Sequence, residues 1–304
     1  MMNYFLLAIS AVLGGTRSLL TKTIKKDGEN NSDTLLRNAI AFFIAFIVIT
    51  AIGAWESGGW NNVPVFMALC YAVFTLGAQV SLMMAVNTGS VAVSSLFYSC
   101  GFIIPTVFGI IYYNEGFTAL SVIGIIFIIF SFVLSVKKEE NSRFNLKWLL
   151  SALSGTVCSG IVGIIQKLFM KECVNSSLNI FLIVAFGFTF IIGLSVTACF
   201  KVYENKKGIP ERISDKGKDI KSLTPIYIVI SLALGVILGF SNKLNTFLSG
   251  EFPSVISFPV INGGTIVFSA LLSAIFLKEK LTIKQKIGLG IGIIAIVITA
   301  TGKI

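Results

Sequence analysis

The chain has few of the residues that soluble enzymes use. Its 304 residues include no His, only 14 Asp and Glu, and a charged fraction of 12%. A soluble globular domain carries about 25% charged residues, so an ordinary soluble domain is excluded. The Asp and Glu fall at or beyond the ends of apolar runs. The usual proton carriers inside a membrane, His and buried carboxylates, are therefore missing from the apolar runs.

Familiar catalytic and metal motifs are missing as well. The five Cys show no C-x-x-C or other metal-like spacing, and the chain has no H-E-x-x-H, Walker loop or G-x-S-x-G. An intramembrane enzyme would need clustered Asp, Glu, His or Cys at membrane depth, and no such cluster is visible. We therefore expect no catalytic residue, no metal, no cofactor and no enzyme activity.

Long apolar runs fill the rest of the chain. Hydrophobic residues make up 55% of it and the mean hydropathy is +0.89. About 20 apolar residues cross a bilayer as a helix. Ten such spans are predicted, at Asn3–Thr23, Asp33–Ala54, Val63–Val86, Gly89–Tyr113, Phe117–Val136, Leu146–Met170, Leu178–Lys201, Pro225–Leu248, Pro253–Leu277 and Thr282–Thr301.

The two halves of the chain repeat one pattern. Residues 164 positions apart match in order, namely Ser90-Val91, Glu115, Thr118 and Gly124 with Ser254-Val255, Glu279, Thr282 and Gly288. The spacing of Gly15 and Lys22 also recurs in Gly160 and Lys167. Chance explains apolar matches between membrane helices, but it explains an ordered polar set poorly.

The duplication predicts the fold. Five spans precede the connector Lys137–Asn145 and five follow it, and an odd number reverses the second copy in the membrane. We predict an all-α membrane protein with ten transmembrane helices, arranged as two inverted-topology five-helix repeats. The single membrane domain covers 1–304, with repeats at 1–136 and 146–304, and the long connector Lys201–Lys221 is predicted to be a mobile surface loop.

The repeated segments resemble a known superfamily. Each apolar span ends at a Glu, and Thr then opens a Gly-containing span, in Tyr113-Asn-Glu-Gly-Phe-Thr118 and Leu277-Lys-Glu-Lys-Leu-Thr282. This pattern is similar to the drug/metabolite transporter superfamily, in particular its ten-helix EamA-like members. The resemblance covers Asn3 to Thr301 and implies a transporter. It leaves the substrate open, because members move amino acids, nucleotide sugars, cationic drugs and other small metabolites.

The first span departs from one branch of that superfamily. Small multidrug-resistance relatives carry a membrane-embedded Glu in their first helix, whereas this chain has Gly14, Gly15 and Arg17 at comparable depth. The difference counts against proton-coupled export of a cation. Glu56, Glu115 and Glu279 stay open as carboxylates that reach inward from the ends of spans.

The positive charges predict the orientation. Nineteen Lys and Arg lie in the connectors after odd-numbered spans, whereas the opposite side has only four, Lys167, Lys171, Lys243 and Lys303. The positive-inside rule then places the odd connectors in the cytoplasm and both termini outside, in a plasma or inner membrane. The net charge of +10 is explained by this orientation and by contact with membrane lipids, so no nucleic-acid partner is expected.

Two positive charges within spans are candidates for substrate binding. Arg17 lies in the first span and Lys243 in the eighth, each about six residues from the span's end. Either side chain could extend its charged group to the membrane interface. Alternatively, one or both face a cavity and bind an anionic or carboxylate-bearing substrate, where Arg offers a bidentate fork.

The fourth and ninth spans offer matched polar faces. Helical spacing groups Ser94, Tyr98, Gly101 and Pro105 on one face of the fourth span. The offset of 164 places their counterparts on the equivalent face of the ninth span, namely Phe258, Asn262, Thr265 and Ser269. Substrates of such folds bind near the midplane between repeats, so Tyr98 and Asn262 are the first candidates. The alternative is bonding within or between helices. Weaker candidates are Gln79, Gln166, Asn242 and Asn245.

Pro and Gly within the spans suggest hinges and a packing surface. Pro105, Pro259, Gly263 and Gly264 are candidate hinges for alternating access, although both residue types are common in membrane helices. The tenth span carries Gly288-Leu-Gly-Ile-Gly292, a surface of the G-x-x-x-G kind. Packing within the chain is the first interpretation of it, and a homodimer contact is the second.

Together these features predict a secondary transporter or facilitator. We expect a small polar metabolite, such as an amino acid or organic anion, to be moved by alternating access between the repeats. The alternatives are a flippase for a lipid-linked or amphipathic anion and an exporter of organic cations. A membrane receptor or intramembrane enzyme is a different class that has little support.

Overall fold

The structure is a computed structural model. It describes residues 2–24, 30–53, 64–89, 91–135, 145–207, 225–278 and 281–301. Within these ranges every regular element is helical, which confirms the all-helical prediction. Several residues used in the sequence analysis lie outside the described ranges, notably Ser90, Glu56, Glu279, Lys303 and most of the connectors at 137–145 and 201–221.

The helices follow the predicted spans closely. They are α1 (Met2–Ile24), α2 (Asn31–Gly53), α3 (Val65–Thr88), α4 (Val91–Ser99), α5 (Ile103–Tyr112), α6 (Ala119–Ser135), α7 (Leu146–Glu172), α8 (Leu178–Lys206), α9 (Pro225–Glu251), α10 (Ser254–Phe276) and α11 (Ile283–Thr301). A 3₁₀ turn at Cys100–Phe102 joins α4 to α5 within the predicted fourth span. Helix α8 runs five residues beyond the predicted end of its span, into the segment assigned to the long connector.

The described helices have the length and surface that a bilayer requires. Nine segments are long and apolar enough to cross a membrane, and α6 supplies a shorter apolar helix, Ala119–Leu134. Large apolar side chains such as Phe66, Ile111 and Ile283 are more than 70% exposed in the isolated chain. An apolar exterior of this kind is expected where lipid replaces water as the solvent.

The helix ends reflect local sequence. The Asn145 side chain accepts the Trp148 N–H at 2.7 Å, and it thereby caps the start of α7. Helices α5 and α10 both end before a residue with positive φ, Asn114 at 50° and Lys278 at 54°. These two residues are 164 positions apart, so the duplication seen in the sequence is also present in the backbone.

The structure divides into two compact units that do not follow the repeats. The first unit comprises Met1–Thr16, Gly77–Val174 and Lys243–Ile304, and the second comprises Arg17–Leu76 and Asn175–Asn242. Each unit therefore contains helices from both halves of the sequence.

In the first unit α6 packs along α11, and α10 contacts α5, α6 and α11. Close approach depends on the glycines of α11. The Ser131 hydroxyl donates to the Gly288 carbonyl at 2.6 Å, and a Cβ at Gly292 would lie 2.9 Å from Val267. The G-x-x-x-G-like surface thus serves packing within the chain, and a homodimer contact through Gly288 and Gly292 stays a prediction.

In the second unit α2 packs along α8. Phe42 and Phe186 are buried against each other, with ring centroids 5.8 Å apart. At one end of this pair, the Glu204 carboxylate accepts the N–H groups of Asn31 and Ser32 at 3.0 and 3.3 Å and the Ser32 hydroxyl at 2.5 Å. A carboxylate satisfies the free N–H groups at a helix start, so Glu204 caps α2.

Candidate functional site

The fourth span is broken at membrane depth. Pro105 has no N–H for the carbonyl of Gly101, and a proline ring clashes with the carbonyl four residues before it. The chain responds with the 3₁₀ turn at Cys100–Phe102, where the Ile103 N–H bonds to the Cys100 carbonyl. The predicted hinge at Pro105 therefore lies next to an actual interruption of the helix, located within the preceding turn.

Helix α7 supports this break with hydroxyls and glycines. The Thr156 hydroxyl donates to the Phe97 carbonyl at 2.8 Å, and the Ser159 hydroxyl donates to the Tyr98 carbonyl at 3.3 Å. A Cβ on Gly160 would come within 2.6 Å of Ile104, so a glycine is needed there for the two helices to approach. Two carbonyls in the turn before the break thus accept bonds from a neighbouring helix, which an apolar environment favours.

A second polar region lies where α1, α9 and α10 meet. The Ser10 hydroxyl donates to the Asn245 side-chain oxygen. Farther along α1, Gly14 packs directly against Thr265 of α10, and Gly264 packs against Ala11. Two predicted candidates, Asn245 and Thr265, therefore lie along α1 in the first unit, close to Ser10.

The other candidates on the matched faces take part in helix contacts. Ser94 is 1% exposed, and its hydroxyl accepts the Trp148 indole N–H at 2.9 Å. The Asn262 side chain donates to the Phe258 carbonyl one turn earlier at 2.9 Å, and Phe258 is buried in an apolar cluster. Tyr98 is partly buried. Substrate contact by these residues stays a prediction.

The two glutamines and Asn242 have different surroundings. The Gln79 side-chain oxygen on α3 is buried and has no hydrogen-bond partner in the structure. Gln166 is buried on α7. In the second unit, Asn242 accepts the Tyr71 hydroxyl at 2.7 Å and donates to the Leu238 carbonyl at 2.9 Å, so it already joins α9 to α3.

Arg17 and Lys243 are partly buried. Within the described part of the chain, neither side chain has an ion pair or a hydrogen bond. Both interpretations of these charges, facing a cavity and reaching the membrane interface, stay predictions.

The structure adds a buried ion pair to the candidates. The Lys167 Nζ lies 2.5 Å from the Glu115 carboxylate, and the Lys167 side chain is fully buried. The same ammonium group donates to the Phe252 carbonyl at 3.0 Å, and the other oxygen of Glu115 accepts the Ser254 N–H at 2.6 Å. The pair thus binds α7, the turn after α5 and the start of α10 together.

Local backbone geometry directs Glu115 inward. At the end of α5 the N–H groups of Tyr113 and Glu115 both bond to the Gly109 carbonyl, with Asn114 in the left-handed conformation between them. A Cβ at Gly109 would lie 2.5 Å from the Glu115 carboxylate and would overlap the Ser254 hydroxyl. Gly109 is therefore needed for the carboxylate to reach α10.

This ion pair adds to one prediction. The sequence predicts Arg17 and Lys243 as the positive charges within spans, and the structure adds Lys167, which is buried within α7. The sequence holds two signals of this. Lys167 falls within the predicted sixth span, and its spacing from Gly160 matches that of Lys22 from Gly15. Ser10, Thr156 and Ser159 are not among the sequence candidates, because serine and threonine are common in membrane helices.

Comparison with known proteins identifies the chain. The profile of the EamA-like transporter family matches residues 1–137 and again residues 146–301. The chain belongs to the EamA-like transporter family. It is accordingly an integral, multi-pass membrane protein with a transport function, and the resemblance to the drug/metabolite transporter superfamily is confirmed.

Structural comparison finds the same fold among solved proteins. Twenty-nine chains of solved structures match this protein. One crystal structure of a protein superposes with a TM-score of 0.66 at 16% identity, and the match covers 96% of this chain and 94% of the other. No curated protein matches. The identity is low, so this likeness shows the fold alone.

A cavity of about 310 Å³ lies beside the broken helix of this EamA-like protein. Its lining is apolar apart from Cys100 and Thr156, and it also includes Leu96, Phe97, Ile103, Ile104 and Leu153. The Thr156 hydroxyl is engaged with the Phe97 carbonyl. A polar solute would find few hydrogen-bonding groups in this cavity, so we take the polar residues of α1, α9 and α10 as the first candidate site.

Proposed function

We propose that this EamA-like protein is a secondary transporter or facilitator that moves a small polar metabolite by alternating access between its two repeats. The observation that carries the proposal is the separate match of each half to the same transporter family. Transporters built from repeats bind substrate near the midplane between the repeats and expose that site to each side in turn.

The polar groups of the candidate site support a polar substrate. Ser10, Asn245 and Thr265 offer hydroxyl and amide groups. Apart from this site, Gln79 on α3 has a buried oxygen without a partner. An unsatisfied buried oxygen is costly, so a substrate N–H or O–H would be a favourable partner for such a group. These side chains are uncharged, which suits a substrate recognised through hydrogen bonds.

The charge distribution supports a neutral, zwitterionic or anionic substrate over a cation. Among the described residues, the buried charged side chains are Lys167 and Glu204. Glu115 pairs with Lys167 and Glu204 caps α2, so neither carboxylate is open to a cation. Arg17 and Lys243 are the positive groups that a carboxylate-bearing substrate would use. An amphipathic anion moved by a flippase would use the same groups and is the second candidate.

A ligand screen followed by a flux measurement tests the proposal. Purified protein would be heated with amino acids, nucleosides, organic anions and organic cations, and each stabilising compound would be tested for uptake into proteoliposomes. We expect stabilisation by a polar, non-cationic metabolite and protein-dependent uptake of that compound. Stabilisation confined to quaternary cations would contradict the proposed substrate class, and flux of a lipid-linked anion alone would favour the flippase.

Two matched variants test the role of the charges within the spans. Arg17→Gln and Lys243→Gln remove one charge each, and Ser195→Ala is a control because the Ser195 hydroxyl is exposed and bonds only within its own helix. If a charge binds the substrate carboxylate, its loss abolishes uptake while expression is unchanged. Unaltered uptake in both variants would assign Arg17 and Lys243 to the membrane interface.

A further inference from the structure

The Glu115–Lys167 pair joins the two repeats. Glu115 belongs to the first repeat, whereas Lys167, Phe252 and Ser254 belong to the second. We propose that this pair is a latch that holds the two repeats together at one face of the protein and separates when that face opens. The inference rests on the proposed alternating access, and it assigns to Glu115 and Lys167 the positioning of the repeats during transport.

Two exposed hydrogen bonds surround the latch and also cross between the repeats. The Tyr113 hydroxyl donates to Glu172 at 2.9 Å, and Asn3 donates to Glu251 at 2.8 Å. Tyr113 lies just beyond the end of α5, and its phenol is protonated at neutral pH and can donate this bond. Four elements of the first unit, α1, the turn after α5, the end of α7 and the α9–α10 connection, thus meet through polar contacts.

The Glu115–Lys167 pair is the most buried polar contact of the latch, so its separation controls opening. The Lys167 ammonium is fully enclosed, and Glu115 is 12% exposed. An unpaired charge in an apolar interior is far costlier than one in water, so the two groups separate only when water reaches them. The α10 N–H of Ser254 and the Phe252 carbonyl hold the pair in place. Moving one repeat away from the other breaks the two bonds of Glu115, to the Lys167 ammonium and to the Ser254 N–H, together, whereas the bond from Lys167 to the Phe252 carbonyl lies within the second repeat and is kept.

The sequence predicts which face this is. The turn after α5, the end of α7 and the α9–α10 connection follow even-numbered spans, which the distribution of Lys and Arg places outside. The latch therefore closes the outward path, and removing it favours the outward-open state.

Thiol labelling tests the latch without a substrate. A cysteine-free protein would carry Ser257→Cys, because Ser257 is fully buried about one turn below Ser254. The latch would then be removed by Glu115→Gln together with Lys167→Met, which leaves no orphan charge. Labelling by a membrane-impermeant maleimide would be followed in oriented proteoliposomes, with Ala152→Cys near the other end of α7 as the matched control.

We expect the thiol introduced at position 257 to react faster once the latch is removed, and the thiol at position 152 to react at an unchanged rate. If removing the latch raises the open population from about 1% to about 10%, the labelling rate rises roughly tenfold. An unchanged rate at position 257 would overturn the proposal. An equal increase at both positions would also overturn it, because it would indicate general loosening.

A milder variant covers the case in which the double variant does not fold. Glu115→Asp keeps the charge but shortens the side chain, so it weakens the latch without orphaning Lys167, and an intermediate labelling rate is expected. Unaltered labelling in that variant would again contradict the latch. Because labelling needs no substrate, a latch that opens in a protein without measurable flux would count against the proposed transport alone.

Discussion

The fourth span and α10 are two copies of one helix, yet only the first is broken. Gly101 lies in the 3₁₀ turn of the first copy, and the offset of 164 pairs it with Thr265 in the continuous α10. The neighbouring helix differs in the opposite sense. Ser159 of α7 packs on Gly101, whereas Gly14 of α1 packs on Thr265, and Ser159 and Gly14 match at the offset of 145 that relates Lys167 to Lys22.

In each copy a hydroxyl-bearing residue on one helix packs against a glycine on the neighbouring helix, and the two residue types change places between the copies. In the first copy the hydroxyl comes from α7 and bonds to the Tyr98 carbonyl of the broken helix, while Gly101 leaves room for it. In the second copy the hydroxyl is on α10 itself, and Gly14 leaves the room. Each copy therefore places a hydroxyl against a glycine, and in the first copy two hydroxyls of α7 also bond to backbone carbonyls just before the break.

Proline position accounts for the rest of the difference. Pro105 lies in the middle of its span. The Gly101 carbonyl, which lacks a backbone donor because proline has no N–H, is therefore deep in the membrane. Pro259 is the sixth residue of α10, and the carbonyl four residues before it belongs to Val255 in the first turn. A lost bond near a helix start disturbs less of the helix than one in its middle.

The largest effect is expected from Gly101→Thr, which gives the broken helix the residue found at the matching position of α10 and leaves the neighbouring α7 unchanged. In Gly101→Thr the new Cβ overlaps the Ser159 hydroxyl and lies 2.9 Å from the Thr156 carbonyl. We expect a loss of about 3 kcal/mol in the free energy of unfolding, the upper range for overpacking. Unfolding in detergent, followed by circular dichroism, measures it.

The matched rescue makes this prediction specific. Adding Ser159→Gly to Gly101→Thr recreates the arrangement of Thr265 and Gly14, so part of the lost stability returns, limited by the remaining contact with the Thr156 carbonyl. Ser159→Gly alone is the control. Additive effects of the two changes would contradict the exchange, because residues in contact show coupled energies.

Replacing the prolines tests the break in the first copy. Pro105→Ala restores an N–H to the Gly101 carbonyl and permits a continuous helix. We expect transport to slow roughly tenfold, about 1.4 kcal/mol in the barrier, because a hinge is lost. Pro259→Ala is the matched control and should leave flux nearly unchanged. Equal effects of the two substitutions in proteoliposomes would remove the distinction between the copies.

The hydroxyl support of the break should have a smaller effect. Thr156→Val keeps the shape of the side chain but removes the bond to the Phe97 carbonyl. Hydrogen bonds between membrane helices are worth about 1 kcal/mol, so we expect a loss of that size in detergent unfolding. Thr50→Val in the second unit is a control, because the Thr50 hydroxyl bonds only within its own helix. A similar loss in both would show that Thr156 does not support the break specifically.

The spans are predictable from the sequence because a bilayer imposes a simple requirement of about 20 apolar residues. Pro105 likewise marks a point of interruption. The polar pattern ending in Glu115 reveals the duplication and the family. These features are local or periodic, so each can be read from residues that are close together in the chain.

Contacts over long distances are not predictable in the same way. Glu115 and Lys167 are 52 residues apart, and their pairing depends on the left-handed Asn114 and on the space above Gly109. Neither condition is visible in composition or hydropathy. The bond between Ser10 and Asn245 likewise joins helices from different repeats. A single sequence indicates which polar residues lie in spans, but it does not indicate which of them meet.

The smallest expected difference concerns the turns that end α5 and α10. Asn114 and Lys278 both adopt positive φ, but asparagine tolerates this conformation better than lysine does. Glycine adopts it without strain. Lys278→Gly should therefore raise the free energy of unfolding by about 1 kcal/mol, and Asn114→Gly should raise it less. Unfolding of the two variants in the same detergent measures the difference. A larger gain for Asn114→Gly than for Lys278→Gly would contradict this prediction. It would mean that the turn after α5 is the more strained of the two, although asparagine tolerates positive φ better than lysine does.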